Sequence, residues 1–492
     1  MERVAESLKR KIMSAEEAAQ FVKSGMAVAV SGFTSVSYPK AVPLALASSG
    51  HAKDLTVIVG AAVGDEIDGA LVRAGLVKRR YGHQSHKDLR NAINNGSVLF
   101  SDIHISQLPT NMNQKTGPNI DVAIVECTAV TEDGLYFGAS AGSADAAVRN
   151  ADKVIVEVNE ALPAELMGMH DIFEVGLPPH AKIIPITKPN DRIGTPYMPC
   201  PPEKIAAIVM TDRLEPGQKF KPITPATQKI GENVVKFIRQ EIDAGRLPEN
   251  PGPIQSGVGS VGNAVLSCLA TSGFRGLSMY TEVMQDSALN LMEEGVFDFI
   301  STSSIALCED NRKRFYENIN DYRNKIIIRP NEVSNHPEVI RRLGVIALNT
   351  AIEVDIYGNV NSTHIMGTKM MNGLGGSGDF ARNSRISIFA TESIAKGGLI
   401  SSIVPMVSHV DQPEHDVSVI VTEQGIADLR WKTPNERAKL IIENCAHPDY
   451  RPLLWEYYEH ACQVATGKHT PHDLTQALSW HQRFLDTGTM KP

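Results

Sequence analysis

The sequence predicts an α/β protein built from two related, open α/β domains that face each other across a cleft. The chain has 492 residues, more than one hydrophobic core ordinarily holds. Short apolar runs followed by a glycine turn and a helical pattern recur along it, which is typical of α/β units. Residues 376–389 also repeat the pattern of 134–156 with a one-residue slip, so the second half is expected to restart the first.

Composition and charge narrow the class of protein. The hydrophobic content of 42% with 21% charged residues is that of a globular protein. The net charge of −8, with no run of lysine and arginine, argues against nucleic acid as the main partner, although local loops can still bind a small anion. The six cysteines form no C-x-x-C pair, the acidic N-terminus has no signal-peptide pattern, and no apolar run is long enough to span a membrane. We therefore expect a cytoplasmic protein without a membrane partner.

The N-terminal domain is expected to span residues 1–215. Ser14 and Glu17 have the spacing of a capping box that opens a helix through about residue 23. A strand at 26–30 runs into a glycine turn and a helix at 42–47. Further strands are predicted at 55–59, 122–125 and 206–210.

A proline-rich stretch separates this domain from the second one. Pro216, Pro222 and Pro225 lie among polar residues, which predicts a linker over 216–232. The C-terminal domain is then expected to span 233–492, beginning with a helix at 233–244 whose apolar residues recur near helical spacing. Another helix is predicted at 434–444.

Glu282 is the first candidate catalytic residue. It lies in the stretch 276–285, where apolar residues lead into a single carboxylate and Val283 and Met284 follow. A carboxylate at the mouth of a buried strand is costly unless it is paired or used. From this stretch alone, a helix-capping or ion-paired glutamate is the simpler interpretation.

The first of two glycine loops precedes Glu282. Gly257, Gly259 and Gly262 formally match the dinucleotide-binding pattern G-x-G-x-x-G, with Glu282 at about the distance of a ribose-binding acid. Pro251 and Pro253 argue against a central strand before the loop, which weakens that interpretation. What remains is a set of backbone N–H groups, free to approach a ligand, before a helix at 264–269.

The second glycine loop follows Glu282 in sequence. Residues 372–380 contain four glycines within six positions, so no side chain blocks a ligand there, although a tight turn is the simpler interpretation. Two glycine loops on either side of one carboxylate are the components of a nucleophile with an oxyanion hole. The polar segment 409–415 has neither zinc nor EF-hand spacing, so we predict a solvated loop and no metal site.

These motifs together resemble the acetyl-CoA hydrolase/transferase family of class I CoA-transferases, over nearly the whole chain. Within it the resemblance is strongest to bacterial enzymes that use succinyl-CoA and acetate. Thr281, Leu374, Ser260 and the turn 141–145 depart from the usual family residues, and the last of these bears on acyl specificity. The resemblance rests on 31–34, 38–40, 255–259, 280–283, 333–335, 356–363, 371–382, 422–425 and 467–471.

The resemblance implies two CoA-transferase α/β domains and reversible transfer of CoA from succinyl-CoA to acetate. It makes Glu282 the nucleophile, which forms first an acyl-glutamyl anhydride and then a glutamyl-CoA thioester. The oxyanion hole would use backbone N–H groups at Val258 and Gly376. Asn335 and Glu423 would orient the nucleophile or the carboxylate substrate, with structural hydrogen bonding as the alternative. The positions that match CoA contacts are Gly257, Val258, Gly259, Ser260, Val261, Asn372, Gly376 and Lys396.

Several alternatives stay open on the sequence. The acyl pair could be propionyl-CoA with succinate, or water could replace the acceptor acid in an acetyl-CoA hydrolase. A nicotinamide-dependent oxidoreductase and a non-catalytic CoA-binding regulator are the alternatives from other classes. By resemblance we expect a homodimer in which CoA is a substrate and covalent intermediate and no cofactor is permanently bound.

Overall fold

The computed structural model describes residues 2–219 and 221–492. Short 3₁₀ segments lie at Glu6–Lys11, Ala164–Leu166, Pro202–Lys204, Lys396–Gly398 and Glu414–Asp416, and a π-helical turn lies at Asp65–Ala70. The strands of the N-terminal half are β1 (Ala27–Thr34), β2 (Leu55–Ala62), β3 (Val77–Tyr81), β4 (Leu99–Ser101), β5 (Val122–Val130), β6 (Leu135–Phe137), β7 (Lys153–Asn159) and β8 (Ile205–Thr211). Its helices are α1 (Ala15–Ala19), α2 (Ala41–Ser49), α3 (Leu71–Arg73), α4 (Lys87–Asn94), α5 (Gln107–Asn113) and α6 (Ala144–Asn150).

The C-terminal half holds the remaining elements. Its helices are α7 (Pro225–Asp243), α8 (Ser260–Ala270), α9 (Asp286–Glu293), α10 (Glu309–Glu317), α11 (Ile319–Tyr322), α12 (Asn331–Ser334), α13 (Pro337–Leu343), α14 (Ser377–Asn383), α15 (Pro434–Cys445), α16 (Arg451–Val464) and α17 (Ser479–Thr487). Its strands are β9 (Ile254–Ser256), β10 (Leu277–Tyr280), β11 (Val283–Met284), β12 (Phe297–Thr302), β13 (Ser304–Ile305), β14 (Ile326–Ile328), β15 (Ile346–Thr350), β16 (Glu353–Asp355), β17 (Val360–Asn361), β18 (His364–Ile365), β19 (Lys369–Met370), β20 (Ile386–Ala390), β21 (Ile394–Ala395), β22 (Ile400–Ser401), β23 (Ile403–Val404), β24 (Val419–Val421) and β25 (Ile426–Asp428).

The two large sheets share one topology. The N-terminal sheet is parallel in the order β4-β3-β2-β1-β5-β7-β8, with β6 added antiparallel to β5. The C-terminal sheet is parallel in the order β14-β12-β10-β9-β15-β20-β24, with β25 antiparallel to β24. When only the seven parallel strands of each sheet are numbered along the chain, both orders read 4-3-2-1-5-6-7. The predicted repeat is confirmed, since α6 and β7 in one half match α14 and β20 in the other.

Apolar strand sequences explain why both sheets are covered. Every residue of β5 is buried, as is every residue of β20, and neither strand shows the alternation of a half-exposed sheet. Strands buried on both faces are characteristic of parallel sheets with helices on either side. The predicted fold class, two open α/β domains, is therefore confirmed.

One expectation from the sequence is wrong. The prolines before residue 254 argued against a central strand, yet β9 is buried between β10 and β15 at the centre of its sheet. Pro251 and Pro253 lie ahead of the strand, where no N–H is needed from them. The carbonyl of Pro253 instead accepts a hydrogen bond of 3.0 Å from the N–H of Ile346. A proline can border a central strand when only its acceptor is used.

The helix expected from residue 233 begins earlier, at Pro225, inside the stretch predicted as linker. Thr224 caps it: the hydroxyl of Thr224 accepts from the N–H of Thr227 at 3.1 Å, and the Thr227 hydroxyl accepts from the N–H of Thr224 at 2.9 Å. Pro225 takes the first helical position, where its missing N–H costs nothing. The proline therefore starts this helix, whereas the sequence interpretation assigned it to the linker.

The carboxyl ends of the two sheets meet at the centre of the molecule. Ile305 donates its N–H to the carbonyl of Ala139 at 3.0 Å, and Asn331 donates to the carbonyl of Gly142 at 2.8 Å. One apolar cluster also continues from Phe33 in the N-terminal half to Met284 in the C-terminal half. Ligands of open α/β sheets bind beyond the carboxyl ends of the strands, so the functional site is expected at this junction. Among the described residues, the helices are all too short or too polar to cross a membrane.

Candidate active site

A cavity of about 410 Å³ lies at the junction of the two halves. Glu282 lies in its wall, together with residues of both glycine loops. From the N-terminal half and the segment after it, the wall takes Phe33, Thr34, Ala61, Val63, His83, Ser85, Ile105 and Gln218. From the C-terminal half it takes Gly257, Val258, Glu282, Val283, Asn349, Thr350, Ser362, Asn372, Gly373, Leu374, Gly375, Gly376 and Ser377.

The position of Glu282 is determined through its backbone. It follows β10 and precedes β11, and its carbonyl accepts hydrogen bonds from the N–H groups of Ser303 and Ser304 at 2.9 and 3.0 Å. The hydroxyl of Thr302 adds a third, at 3.0 Å. In the side chain, Oε1 of Glu282 accepts from Nδ2 of Asn335 at 2.7 Å. The main chain is thus anchored while the carboxylate faces the cavity.

The surroundings of Glu282 favour its neutral form. Burial raises the pKa of Glu282 to about 8. The hydrogen bond from Asn335 opposes this rise, and the negative charge of Asp379 adds to it. A carboxyl group with so strongly raised a pKa at the mouth of a cleft is typical of a functional site.

We expect this raised pKa to appear in the pH dependence of stability. The unfolded chain releases the Glu282 proton near pH 4.5, whereas the folded protein keeps it until about pH 8. The folded state therefore binds more protons in that window, and its stability falls as the pH rises. Relative to Glu282→Gln, the wild type should lose on the order of 3 kcal/mol of unfolding free energy from about pH 5 to about pH 8. Urea denaturation of both proteins across this range measures the difference, and a constant difference would contradict the assigned pKa.

Gly376 places the backbone of the second glycine loop beside the Glu282 side chain. A Cβ atom at Gly376 would lie 1.9 Å from Oε1 and 2.2 Å from Cδ of Glu282. No side chain fits there, so the position requires glycine for space. The helix α14 begins at the next residue, Ser377. The loop backbone consequently lies directly against the carboxylate.

The first glycine loop connects β9 to α8. The N–H of Gly257 bonds to the carbonyl of Leu348 at 2.9 Å, and Gly259 has a φ of 135°, which favours glycine. The side chain of Gln285 is hydrogen-bonded to the backbone of this loop. It accepts from the N–H of Gly259 at 3.3 Å and donates to the carbonyl of Gly257 at 3.1 Å. Sequence reasoning missed Gln285, whose one signal was its place three residues after Glu282.

The other residues predicted by resemblance fall into two groups. Val258, Asn372 and Gly376 line the cavity together with Gly257. Lys396 and Glu423 are not among the described residues that line it. Nζ of Lys396 lies 4.8 Å from the ring centre of Phe484, and Glu423 accepts from the N–H of Ser393 at 2.8 Å. Gly259 is the N-cap of α8, and Ser260 and Val261 are its first two residues. These three also belong to the second group, since they are not among the described residues that line the cavity. The roles assigned to all of these residues stay predictions.

The N-terminal half contributes part of the cavity wall, and the sequence motifs predicted only some of its residues. Phe33 and Thr34 belong to the quoted motif at 31–34, but His83 carried no sequence signal. Burial, followed by the charge of Arg80, lowers the pKa of His83 to about 4. The structure therefore presents a neutral imidazole to the second glycine loop, where it lies against Gly373.

The polar segment 409–415 borders a neighbouring cavity of about 430 Å³. His409 and Asp411 lie in its wall beside His104 and His364. The rings of His364 and His409 are 3.9 Å apart between centres, and Asp411 accepts from the hydroxyl of Thr363 at 2.9 Å. In the described ranges, the three metal-type ligands close enough to share an ion are instead Asp65, His86 and Asp88, and Arg73 already pairs with both carboxylates.

The fold and the site define a class of protein: a two-domain α/β enzyme with an anchored carboxylate between glycine loops. Comparison with known families agrees. Residues 1–210 match the acetyl-CoA hydrolase/transferase N-terminal domain, and residues 312–458 match the corresponding C-terminal domain. The chain belongs to the acetyl-CoA hydrolase/transferase family. This decides against the dinucleotide alternative considered for the first glycine loop.

Relatives align over nearly the whole chain. A succinyl-CoA:acetate CoA-transferase of Clostridium kluyveri is 51% identical over 98% of this chain and 91% of its own. A propanoyl-CoA:succinate CoA transferase of Escherichia coli is 42% identical over 97% and 98%. An acetyl-CoA hydrolase of Schizosaccharomyces pombe is 40% identical over 99% and 98%.

Solved structures share the fold at low sequence identity. RipA from Yersinia pestis superposes with a TM-score of 0.72 at 23% identity, over 93% of this chain and 98% of its own. A 4-hydroxybutyrate CoA-transferase from Porphyromonas gingivalis superposes with a TM-score of 0.66 at 23% identity, over 92% and 99%. Both likenesses support the two-domain α/β architecture.

Proposed function

We propose that this protein is a CoA-transferase that moves CoA reversibly from succinyl-CoA to acetate, with Glu282 as the nucleophile. The observation that carries the proposal is the Glu282 carboxylate itself. It faces the cavity between the two halves, accepts a hydrogen bond from Asn335, and lies against the backbone of Gly376. The 51% identical relative from Clostridium kluyveri carries the name of this reaction.

The proposed reaction consists of balanced acyl transfers. An oxygen of Glu282 attacks the acyl carbon of succinyl-CoA, the C–S bond breaks, and an acyl-glutamyl anhydride and CoA thiolate result. The thiolate attacks the glutamyl carbon, which releases succinate and leaves a glutamyl-CoA thioester. Acetate attacks this thioester to form acetyl-glutamyl anhydride and thiolate. The thiolate then attacks the acetyl carbon, which yields acetyl-CoA and regenerates the carboxylate, as in ping-pong covalent catalysis.

Each attack passes through a tetrahedral oxyanion. We assign its stabilisation to the backbone N–H groups of Val258 and Gly376, one from each glycine loop. Fixed donors of this kind contribute roughly 3–4 kcal/mol each to transition-state stabilisation. The support for this assignment is that both residues line the cavity that holds Glu282.

We propose that CoA is bound as a substrate by residues 257–261, Asn372, Gly376 and Lys396, and that no cofactor is held permanently. Lys396 would supply positive charge for the anionic CoA. Asn335 would orient Glu282, as its hydrogen bond of 2.7 Å suggests. Glu423, which is hydrogen-bonded to Ser393, would orient the carboxylate substrate.

Two alternatives share the same site. Propionyl-CoA with succinate is supported by the Escherichia coli relative, and hydrolysis of acetyl-CoA by the Schizosaccharomyces pombe relative. Both use the same nucleophile, so the acceptor distinguishes them. We also propose residues 1–215 and 233–492 as the two domains, with the start of α7 at Pro225 extending the second domain into the predicted linker. We propose a homodimer as the assembly and the cytoplasm as the location.

The decisive experiment is intact-protein mass spectrometry after brief incubation with succinyl-CoA, followed by peptide mapping. We expect a covalent CoA adduct on the peptide that contains Glu282, discharged by acetate with formation of acetyl-CoA. Discharge by propionate but not acetate would favour the other acyl pair. An adduct that water discharges as fast as acetate would favour the hydrolase. Absence of both adduct and CoA release would overturn the proposal.

A further inference from the structure

A second carboxylate, Asp379, lies behind the nucleophile in the first turn of α14. It is buried and accepts three hydrogen bonds. Ser106 donates its N–H to Oδ2 at 3.0 Å and its hydroxyl to Oδ1 at 2.5 Å. Nδ2 of Asn335 donates to Oδ2 at 3.1 Å. Ser106 belongs to the N-terminal half and Asp379 to the C-terminal half, so this group of contacts joins the two halves behind the active site.

Asn335 connects this carboxylate to the nucleophile. Its single amide nitrogen donates to Oε1 of Glu282 at 2.7 Å and to Oδ2 of Asp379 at 3.1 Å. Its amide oxygen accepts from the hydroxyl of Ser334 at 2.8 Å. An amide nitrogen carries two hydrogens, so both are used. A flipped amide would turn its oxygen toward the Asp379 carboxylate, which has no proton to donate when ionised, so the observed orientation is the favoured one.

We propose that Asp379 is a positioning residue that acts through Asn335 on Glu282, and that Ser106 carries this control across from the N-terminal half. Asp379 does not line the reaction cavity, so it acts on the nucleophile through the amide. It holds the Asn335 amide in the orientation that points Glu282 at the acyl carbon. The inference rests on the proposed function, in which Glu282 is the nucleophile.

The equivalent residue of the other half supplies a comparison. Asp145 occupies the same place before β7 that Asp379 occupies before β20, and it is also buried. Its carboxylate pairs with Arg149 at 3.4 Å. Asp379 has instead the neutral donors Ser106 and Asn335. Its nearest basic neighbour is His104, whose Nδ1 is 4.0 Å from Oδ1. Both halves therefore have a buried aspartate at this position of the fold, but only Asp379 is linked through Asn335 to Glu282.

The charge of Asp379 also acts on Glu282 directly. Burial raises the pKa of Asp379, and its hydrogen bonds from Ser106 favour the ionised form. The titratable groups that face one another here are Glu282, Asp379 and His104. Removing the charge of Asp379 removes a like charge beside Glu282, so the Glu282 carboxyl group should ionise at lower pH.

Asp379→Asn is the central variant, because it keeps the shape and removes the charge and one acceptor. In single-turnover adduct formation with succinyl-CoA, we expect the plateau rate to fall by about tenfold to a hundredfold. The succinyl-CoA concentration that gives half of this plateau rate should change by less than about threefold. The acid limb of the pH–rate profile should move to lower pH. Ser106→Ala should also lower the plateau rate, by a smaller factor than Asp379→Asn does.

Asp145→Asn is the matched control, with the same exchange at the equivalent fold position. Asp145→Asn should have the same acid limb of the pH–rate profile as the wild type, even if its melting temperature is lower. If Asp379→Asn lowers only the melting temperature, with an unshifted acid limb and a wild-type rate per folded molecule, the proposal is overturned. If Asp379→Asn does not fold, Ser106→Ala decides, and an unchanged rate in that variant overturns the proposal.

A readout without turnover separates this inference from the proposed function. The stability difference between each protein and its Glu282→Gln derivative reports the pH at which Glu282 ionises. We expect Asp379→Asn to lower that pH even if the wild type forms no CoA adduct. Loss of the adduct alone would overturn the proposed reaction, whereas an unchanged ionisation pH would overturn the link from Asp379 to Glu282.

Discussion

Glu282→Ala should lower the rate of CoA transfer by about 10⁴-fold or more, because it removes the atom that forms both covalent intermediates. The fold should persist, since the side chain faces the cavity and its backbone contacts to Ser303 and Ser304 remain. Above about pH 8, where the wild type buries a charged carboxylate, the variant should be at least as stable. Steady-state transfer from succinyl-CoA to acetate and thermal melting measure the two effects.

Two further variants sharpen this result. Glu282→Gln keeps the shape and an acceptor for Asn335 but cannot form the anhydride, so it should be as inactive as alanine. Glu294→Ala, at the exposed end of α9, removes a glutamate that is remote from the cavity and should transfer at the wild-type rate. Near-normal turnover in Glu282→Ala would refute covalent catalysis at this residue.

Gly376→Ala should be the second most damaging change. Its Cβ would lie 1.9 Å from Oε1 of Glu282, which is closer than any non-bonded contact allows. Either the carboxylate or the loop must move, and a displacement of about 1 Å at a reacting group costs about 10²-fold in rate. We expect a loss of about 10²-fold or more in kcat, with the melting temperature changed much less.

Gly117→Ala is the control for this substitution. Nothing lies within 4 Å of a Cβ at Gly117, and its backbone is not in the left-handed region, so the variant should transfer at the wild-type rate. A wild-type rate in Gly376→Ala would show that the loop backbone does not need to lie against Glu282. It would also remove the assignment of the Gly376 N–H to the oxyanion hole.

Local sequence chemistry predicted much of this architecture. The apolar runs and glycine turns indicated parallel α/β units, and the resemblance between 134–156 and 376–389 indicated that the halves are related. Both follow from short-range patterns, since a buried parallel strand is apolar along its length and each βα unit has its own turn. Where the pattern was misread, at Pro253 and Pro225, the outcome depended on which backbone group each proline had to supply.

The residues of the candidate site also divide into those that local sequence signals predicted and those that only the tertiary structure brings together. Glu282 and the two glycine loops could be proposed from sequence, because a lone carboxylate after an apolar run and clustered glycines are local signals. Ser106 and Asp379 are 273 residues apart, and His83 enters the cavity from the opposite half. No spacing rule connects such positions, since their proximity arises from how the two sheets meet.

By itself, then, the sequence determined the α/β class, the repeated halves, the glycine loops and the carboxylate between them, because each depends on residues close together in the chain. The tertiary structure alone decided that β9 lies at the centre of its sheet and that Glu282 is buried enough to hold a proton to about pH 8. It alone joined Glu282 through Asn335 and Asp379 to Ser106. The physical reason is that burial, pKa and hydrogen-bond partners depend on what surrounds a side chain in space.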